Sequence, residues 1–170
     1  EQPRFEYISG DGYNGIFMSK CYDMNHLSHI HIWPFLTTHQ SWTLTGPAGY
    51  SRPGVAFRFQ TDVDWGQADN CFSFGFNRGW HISDCNNVVL LNCGADHYGP
   101  GGDTTTIGFL FNGVCTDPKL IGCKGAAQGR AFVSDLSAAM TTGNTLTLVG
   151  CQAWGNIVDH VVCSGGRIVV

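Results

Sequence analysis

Residues Asn87–Leu136 read NVVLLNCGADHYGPGGDTTTIGFLFNGVCTDPKLIGCKGAAQGRAFVSDL, and this stretch decides the fold. An apolar run, Val88–Leu91, closes on Cys93 and opens into a Gly-rich loop. A second run, Gly108-Phe-Leu-Phe111, closes near Cys115. The phrase then restarts, with a run ending at Cys123, a short loop, and Ala131-Phe-Val133. Two copies of one phrase about one turn apart are the mark of a stacked-repeat architecture.

Outward from this stretch the phrase recurs. One strand opens at Gly15, Gly54, Gly79, Gly108, Gly129 and Asn156, at spacings of 21 to 39 residues. The other appears at Leu27–Trp33, Cys71–Phe76, Val88–Cys93, Lys119–Cys123 and Leu146–Cys151, and Gly166–Val170 begins another. A single turn of such short strands cannot bury its apolar face. Stacking the turns at about 4.8 Å pairs every strand above and below and buries a continuous core. Cys93, Cys123 and Cys151 are then expected as one internal ladder, and Phe57, Phe109 and Phe132 as an aromatic stack. A propeller needs longer, more regular blades, and a leucine-rich repeat a stricter Leu/Asn period.

Composition agrees. The 170 residues are 43% hydrophobic and only 13% charged, with 23 glycines, which favours strands and tight turns over helices. A net charge of −4 argues against a nucleic-acid footprint, and no apolar run approaches a membrane span. No signal peptide is visible. The chain opens on Glu1-Gln-Pro-Arg4 and stops on Arg167-Ile-Val-Val170 in mid-strand, so one domain over 1–170, a piece of a longer protein, is expected. The 8 cysteines are an even number, as in a disulfide framework, but several end apolar strands where a small buried hydrophobe belongs. They read as reduced core thiols of a protein folded in a cytosol. With no CxxC pair, zinc is not expected, and neither is any other metal or cofactor.

Specific runs carry a family resemblance: His31-Ile-Trp-Pro-Phe35 and its following loop, Arg52-Pro-Gly-Val-Ala-Phe-Arg-Phe59, Asp64-Trp65, Asn70-Cys-Phe-Ser-Phe-Gly-Phe76, and the later strand-Cys, loop, Gly-Phe-x-Phe repeats. From about Gly12 to Val170 the chain resembles phage tailspike proteins of the pectate-lyase-like superfamily. The resemblance implies an all-β, single-stranded, right-handed parallel β-helix of about six coils. It also implies a homotrimer on the virion tail, and a bacterial surface polysaccharide (capsule, exopolysaccharide or lipopolysaccharide) as partner, bound and cleaved by hydrolysis. The rival readings are a non-catalytic structural or receptor-binding segment of a tail fibre, and a polysaccharide lyase or cellular hydrolase of the same fold.

Hydrolysis needs two carboxylates across a groove, about 5 Å apart for retention and about 6.5–9.5 Å for inversion. The only glutamates are Glu1 and Glu6, so a dyad must be aspartates. Asp62 and Asp64 stand at i and i+2, which points both to one face of a strand, with Trp65 beside them as a sugar platform; the competing reading is a solvated turn. Asp84 and Asp135 each follow a serine and are expected at matching places in their repeats, as is Lys20; either they line one outer stripe or they cap local backbone. Asp96-His97-Tyr98, with Arg78 or Arg130, supplies the base and cation a lyase requires. His29 and His31 share one strand face, but no third ligand accompanies them. Trp42, Trp65 and Trp80, with Arg52, His97 and Tyr98, are the expected glycan contacts. Trp33 and Trp154 are further exposed-ring candidates, although Trp33 also suits the closing of a coil.

Overall fold

The computed structural model describes residues 3–34, 52–97, 104–126, 128–137, 144–156 and 158–170. The chain is all-β, and no helix occurs among the described residues. Its strands form three parallel sheets. The first contains β1 (Arg4–Glu6), β4 (His26–Ser28), β7 (Gln67–Asp69), β10 (Val89–Leu91), β13 (Lys119–Ile121), β16 (Thr145–Val149) and β19 (Arg167–Val169). The second contains β2 (Ser9–Gly10), β5 (His31–Ile32), β8 (Phe72–Phe74), β11 (Gly94–Asp96), β14 (Lys124–Ala126) and β17 (Gln152–Trp154). The third contains β3 (Ile16–Ser19), β6 (Arg52–Asp64), β9 (Phe76–Asn86), β12 (Ile107–Gly113), β15 (Arg130–Leu136) and β18 (Asp159–Gly165). The chain visits the three sheets in rotation, and each strand pairs with those one rotation before and after it.

The corners explain why these residues fold this way. Between the first and second sheets a single residue turns the chain with positive φ: Tyr7, His29, Asn70, Asn92, Gly122 and Gly150. Asparagine and glycine suit this left-handed conformation because a short polar side chain bonds locally and a missing Cβ removes the clash. Successive corners are tied by backbone bonds, such as Asn70 N–H to Leu91 C=O at 3.0 Å and Asn92 N–H to Ile121 C=O at 2.7 Å. After each of the last four corners comes a cysteine, Cys71, Cys93, Cys123 or Cys151, and these form the expected ladder with Cys71 added. Their thiols bond to carbonyls of their own or the preceding rung, as Cys123 Sγ does to Leu90 C=O at 3.3 Å. A parallel row, Leu27, Ala68, Leu90, Leu120, Leu148, stacks in register on the inner side of the first sheet and is almost wholly buried.

The aromatic stack exists, with one more member than expected. Phe57, Trp80, Phe109 and Phe132 are aligned in register. Phe57 stacks on Trp80 with centroids 4.2 Å apart, Trp80 lies parallel to Phe109 at 6.1 Å, and Phe109 stacks on Phe132 at 5.1 Å. Trp80 is fully buried, and its indole N–H donates to Gly94 C=O at 3.2 Å. It therefore presents no surface to a glycan, and its expected role as a sugar contact is corrected to that of a core residue.

Candidate functional site

Sheet faces decide which side chains meet solvent. On β8 the buried Ser73 lies between half-buried Phe72 and Phe74, so the two phenylalanines point outward. Register carries that outward face along the second sheet. One row runs Ser9, His31, Phe72, Gly94, Lys124, Gln152, and the next runs Phe74, Asp96, Ala126, Trp154. His31 packs edge-on to Phe72 at 5.0 Å and stacks on Trp33 at 5.5 Å. Burial lowers the His31 pKa and so favours the neutral ring. The outward face thus begins as a band of aromatic rings.

Where the rows reach Gly94 and Ala126 the band sinks into a groove of about 460 Å³. Its lining includes Phe72, Asn92, Gly94, Asp96, Lys124 and Trp154. Glycine is required in its floor, because a Cβ at position 94 would lie 2.5 Å from Cδ2 of Phe72. Trp154 is 50% exposed and stands at one end. Asp96 accepts a hydrogen bond from the His97 backbone N–H at 2.7 Å, yet burial outweighs that bond and raises its carboxyl above the usual value. An apolar ring, a carboxyl of raised pKa and an ammonium around an open floor form a site suited to a polyhydroxylated ligand.

The expected carboxylates stand elsewhere. Thr61 and Asp62 both have positive φ, at a register shift between Gln60 and Val63, so strand alternation does not govern this bend. Asp62 is exposed, and half-buried Asp64 accepts from Asn87 Nδ2 at 3.3 Å. Asp84 also lies in the left-handed region, with φ 54°. It accepts from the Val114 N–H at 3.0 Å and the Ser83 hydroxyl at 2.8 Å, which is the capping arrangement. Asp135 does not share its row: Asn112 pairs with Ser83 on one side and Asp135 on the other, so Asp135 matches Ser83. Ser19 matches Ser83 through Gln60, so Lys20 and Asp84 each follow a residue of one row. Trp65 is 52% exposed at the same corner as Asp64. None of Asp62, Asp64, Asp84 and Trp65 lines the groove.

Arg52 is half-buried and holds Asp11 through both Nε and Nη2, at 3.2 to 3.3 Å. His97 is buried, at 4% exposure, which takes it away from the surface a glycan would use. Trp42 and Tyr98 lie outside the described residues. Arg78 Nη1 donates to the carbonyls of Asn77 and Thr105, at 2.9 and 2.8 Å. His29 and His31 do not share a strand face, because His29 is the corner residue and stacks on Tyr7 at 5.0 Å.

A polar network at the rim was not foreseen. Asp69 accepts from the Ser28 hydroxyl at 2.9 Å and from Asn70 Nδ2 at 3.0 Å, and meets His26 Nε2. Burial alone would raise its pKa, but the bonds from Ser28, His26 and Asn70 outweigh it and leave the carboxyl below its usual value. Asn92 Nδ2 donates in turn to Asn70 Oδ1 at 2.7 Å, so the network ends on two residues that line the groove. The signal in sequence was the Asp69-Asn70 pair before Cys71. No family model, curated protein or solved structure matches the chain.

Proposed function

We propose that this chain is a segment of a tailspike-type protein that binds a bacterial surface polysaccharide along the outer face of its second sheet. In this reading the three sheets enclose one right-handed parallel β-helix. Six rotations through the sheets, followed by β19 back in the first, support the coil count. The general handedness of parallel crossovers supports the hand. Homotrimer formation and a place on the virion tail belong to the same proposal and rest on the family resemblance.

The observation that carries the binding reading is the outward face itself. Rings at His31, Phe72, Phe74 and Trp154 lie on stacked strands leading into and across the groove. Pyranoses offer apolar C–H faces to such rings and hydroxyls to flanking polar groups. Strands about 4.8 Å apart give the face a rigid repeat along which a chain of sugars can lie.

Hydrolysis is the second reading, and one observation favours it. Asp96 combines groove position with a raised pKa, the combination a general acid needs. Of the expected dyad members none lines the groove, so the acid in this reading is Asp96 and its partner carboxylate lies beyond the groove lining. The test is a panel of purified capsular, exopolysaccharide and lipopolysaccharide chains, scored for binding and for new reducing ends. Binding that Trp154→Ala weakens supports the main reading, and binding to none of the panel rejects it. New ends lost in Asp96→Asn while binding persists support hydrolysis. Binding without new ends assigns the chain to the receptor-binding class.

A further inference from the structure

Two opposite charges line the groove without meeting. Lys124 is exposed, and its ammonium has no hydrogen-bond or ion-pair partner among the described residues. Among the described residues it is the only cation of the groove lining. Asp96 lines the same groove, and its side chain accepts only from the backbone of His97 among the described residues. The two stand on neighbouring strands: Lys124 pairs with Gly94, and Asp96 pairs with Ala126. A flexible lysine this near a carboxylate closes an ion pair at little gain at a surface. Here the pair stays open, and the floor between the two consists of glycine and alanine.

We infer that the groove is built for an acidic glycan, whose sugar carboxylate meets the Lys124 ammonium while neighbouring hydroxyls donate to Asp96 and a pyranose face covers Trp154. The inference rests on the polysaccharide-binding reading and names the class of sugar it takes. Its chemistry is complementary at each point. Lysine is a compact point charge that meets a carboxylate without demanding a bidentate approach. A carboxylate side chain is an acceptor, and sugar hydroxyls supply the donors. Glycine at position 94 lets the Phe72 ring lie close against the backbone of the floor, where a Cβ would come within 2.5 Å of it. A neutral glycan would leave the ammonium with water alone, and a basic one would face its repulsion.

The test follows the Trp154 indole N–H resonance of the ¹⁵N-labelled chain. It is titrated with a hyaluronan tetrasaccharide, which carries glucuronate, and with the neutral chitin tetrasaccharide. Because an exposed charge contact contributes modestly, the acidic ligand is expected to bind about fivefold tighter at low salt. That preference shrinks when ionic strength is raised to about 0.5 M, where exposed charges are screened. Lys124→Gln is expected to bring the acidic ligand down to the level of the neutral one. Equal affinities in the unaltered chain overturn the inference, as does a preference that survives in Lys124→Gln; both leave polysaccharide binding standing. A Trp154 resonance that responds to neither tetrasaccharide, together with no binding across the polysaccharide panel, rejects the inference and the binding reading together.

Discussion

Replacing Trp80 by alanine should be the most damaging single change in the core. Trp80 is wholly buried between Phe57 and Phe109, and it links a four-ring stack that runs through β6, β9, β12 and β15. Truncating such a ring removes its burial and leaves a cavity that a rigid stack of strands closes poorly, at about 3–5 kcal/mol. The Gly94 carbonyl also loses its indole donor, which adds about 1 kcal/mol. For a chain of this size each kcal/mol lowers Tm by roughly 2–4 °C, so the combined loss of about 4–6 kcal/mol should lower Tm by about 8–24 °C. Trp80→Phe keeps the stack and loses the hydrogen bond, and should cost about 1–2 kcal/mol. Urea unfolding followed by circular dichroism and by tryptophan fluorescence measures both. A Trp80→Ala midpoint within about 1 kcal/mol of the unaltered chain would refute the reasoning, because no fully buried ring can be removed that cheaply. Trp154→Ala is the matched control: half-exposed at the groove, it should leave the midpoint nearly unchanged.

Four further outcomes follow from the same geometry. Asp84→Ala strands the Val114 N–H and should cost about 1–2 kcal/mol, while Asp84→Asn, which keeps an acceptor and tolerates the left-handed backbone, should cost little; equal effects in urea unfolding would refute the capping role. In native protein at pH 8, iodoacetamide should reach exposed Cys163 first, and the buried thiols only on unfolding, since burial pushes Cys85 up to about 12 and Cys115 to about 11; rapid alkylation of either, read by mass spectrometry, would contradict its burial in the core. Asp69 has a lowered folded pKa, so its contribution to stability is present above the ordinary value of 3.8 and disappears as pH falls below it; Asp69→Asn should therefore flatten the acid limb of a stability–pH curve. Asp96 has a raised pKa, so its ionised form opposes folding at neutral pH; Asp96→Asn should stabilise the chain at pH 7 and lose that advantage below the ordinary value of 3.8.

The repeat was legible because parallel stacking writes itself into sequence twice. Inward positions repeat as like residues, which is why Cys93, Cys123 and Cys151 and the phenylalanines stood out. Corners repeat as residues that accept positive φ, such as Asn70, Asn92, Gly122 and Gly150. Trp80 was misread because a tryptophan beside a glycine looks like a loop platform, although aligning Gly79-Trp80 with Gly108-Phe109 puts it in the aromatic row. Elsewhere glycine was a poor ruler: Val55 pairs with Arg78, so Gly54 falls two places short of the row that Gly79 occupies. The aspartates misled for a physical reason. Asp62 and Asp84 hold left-handed positions, where aspartate is favoured for its backbone alone, and a run of sequence does not separate that preference from catalysis. The groove was the least legible feature, since Phe72, Asp96, Lys124 and Trp154 stand far apart in sequence and meet only through the register of β8, β11, β14 and β17.

The central claim is that the outer face of the second sheet, and not the Asp62–Trp65 corner, holds the sugar. Calorimetric titration of a polysaccharide from the panel into the unaltered chain, Trp154→Ala and Trp65→Ala tests it most directly. Both rings are about half exposed, so neither change should disturb folding. Stacking of a sugar on an aromatic ring predicts a loss of roughly tenfold in affinity for Trp154→Ala, and none for Trp65→Ala. Loss on Trp65→Ala with full affinity in Trp154→Ala would contradict the claim and return the site to the corner.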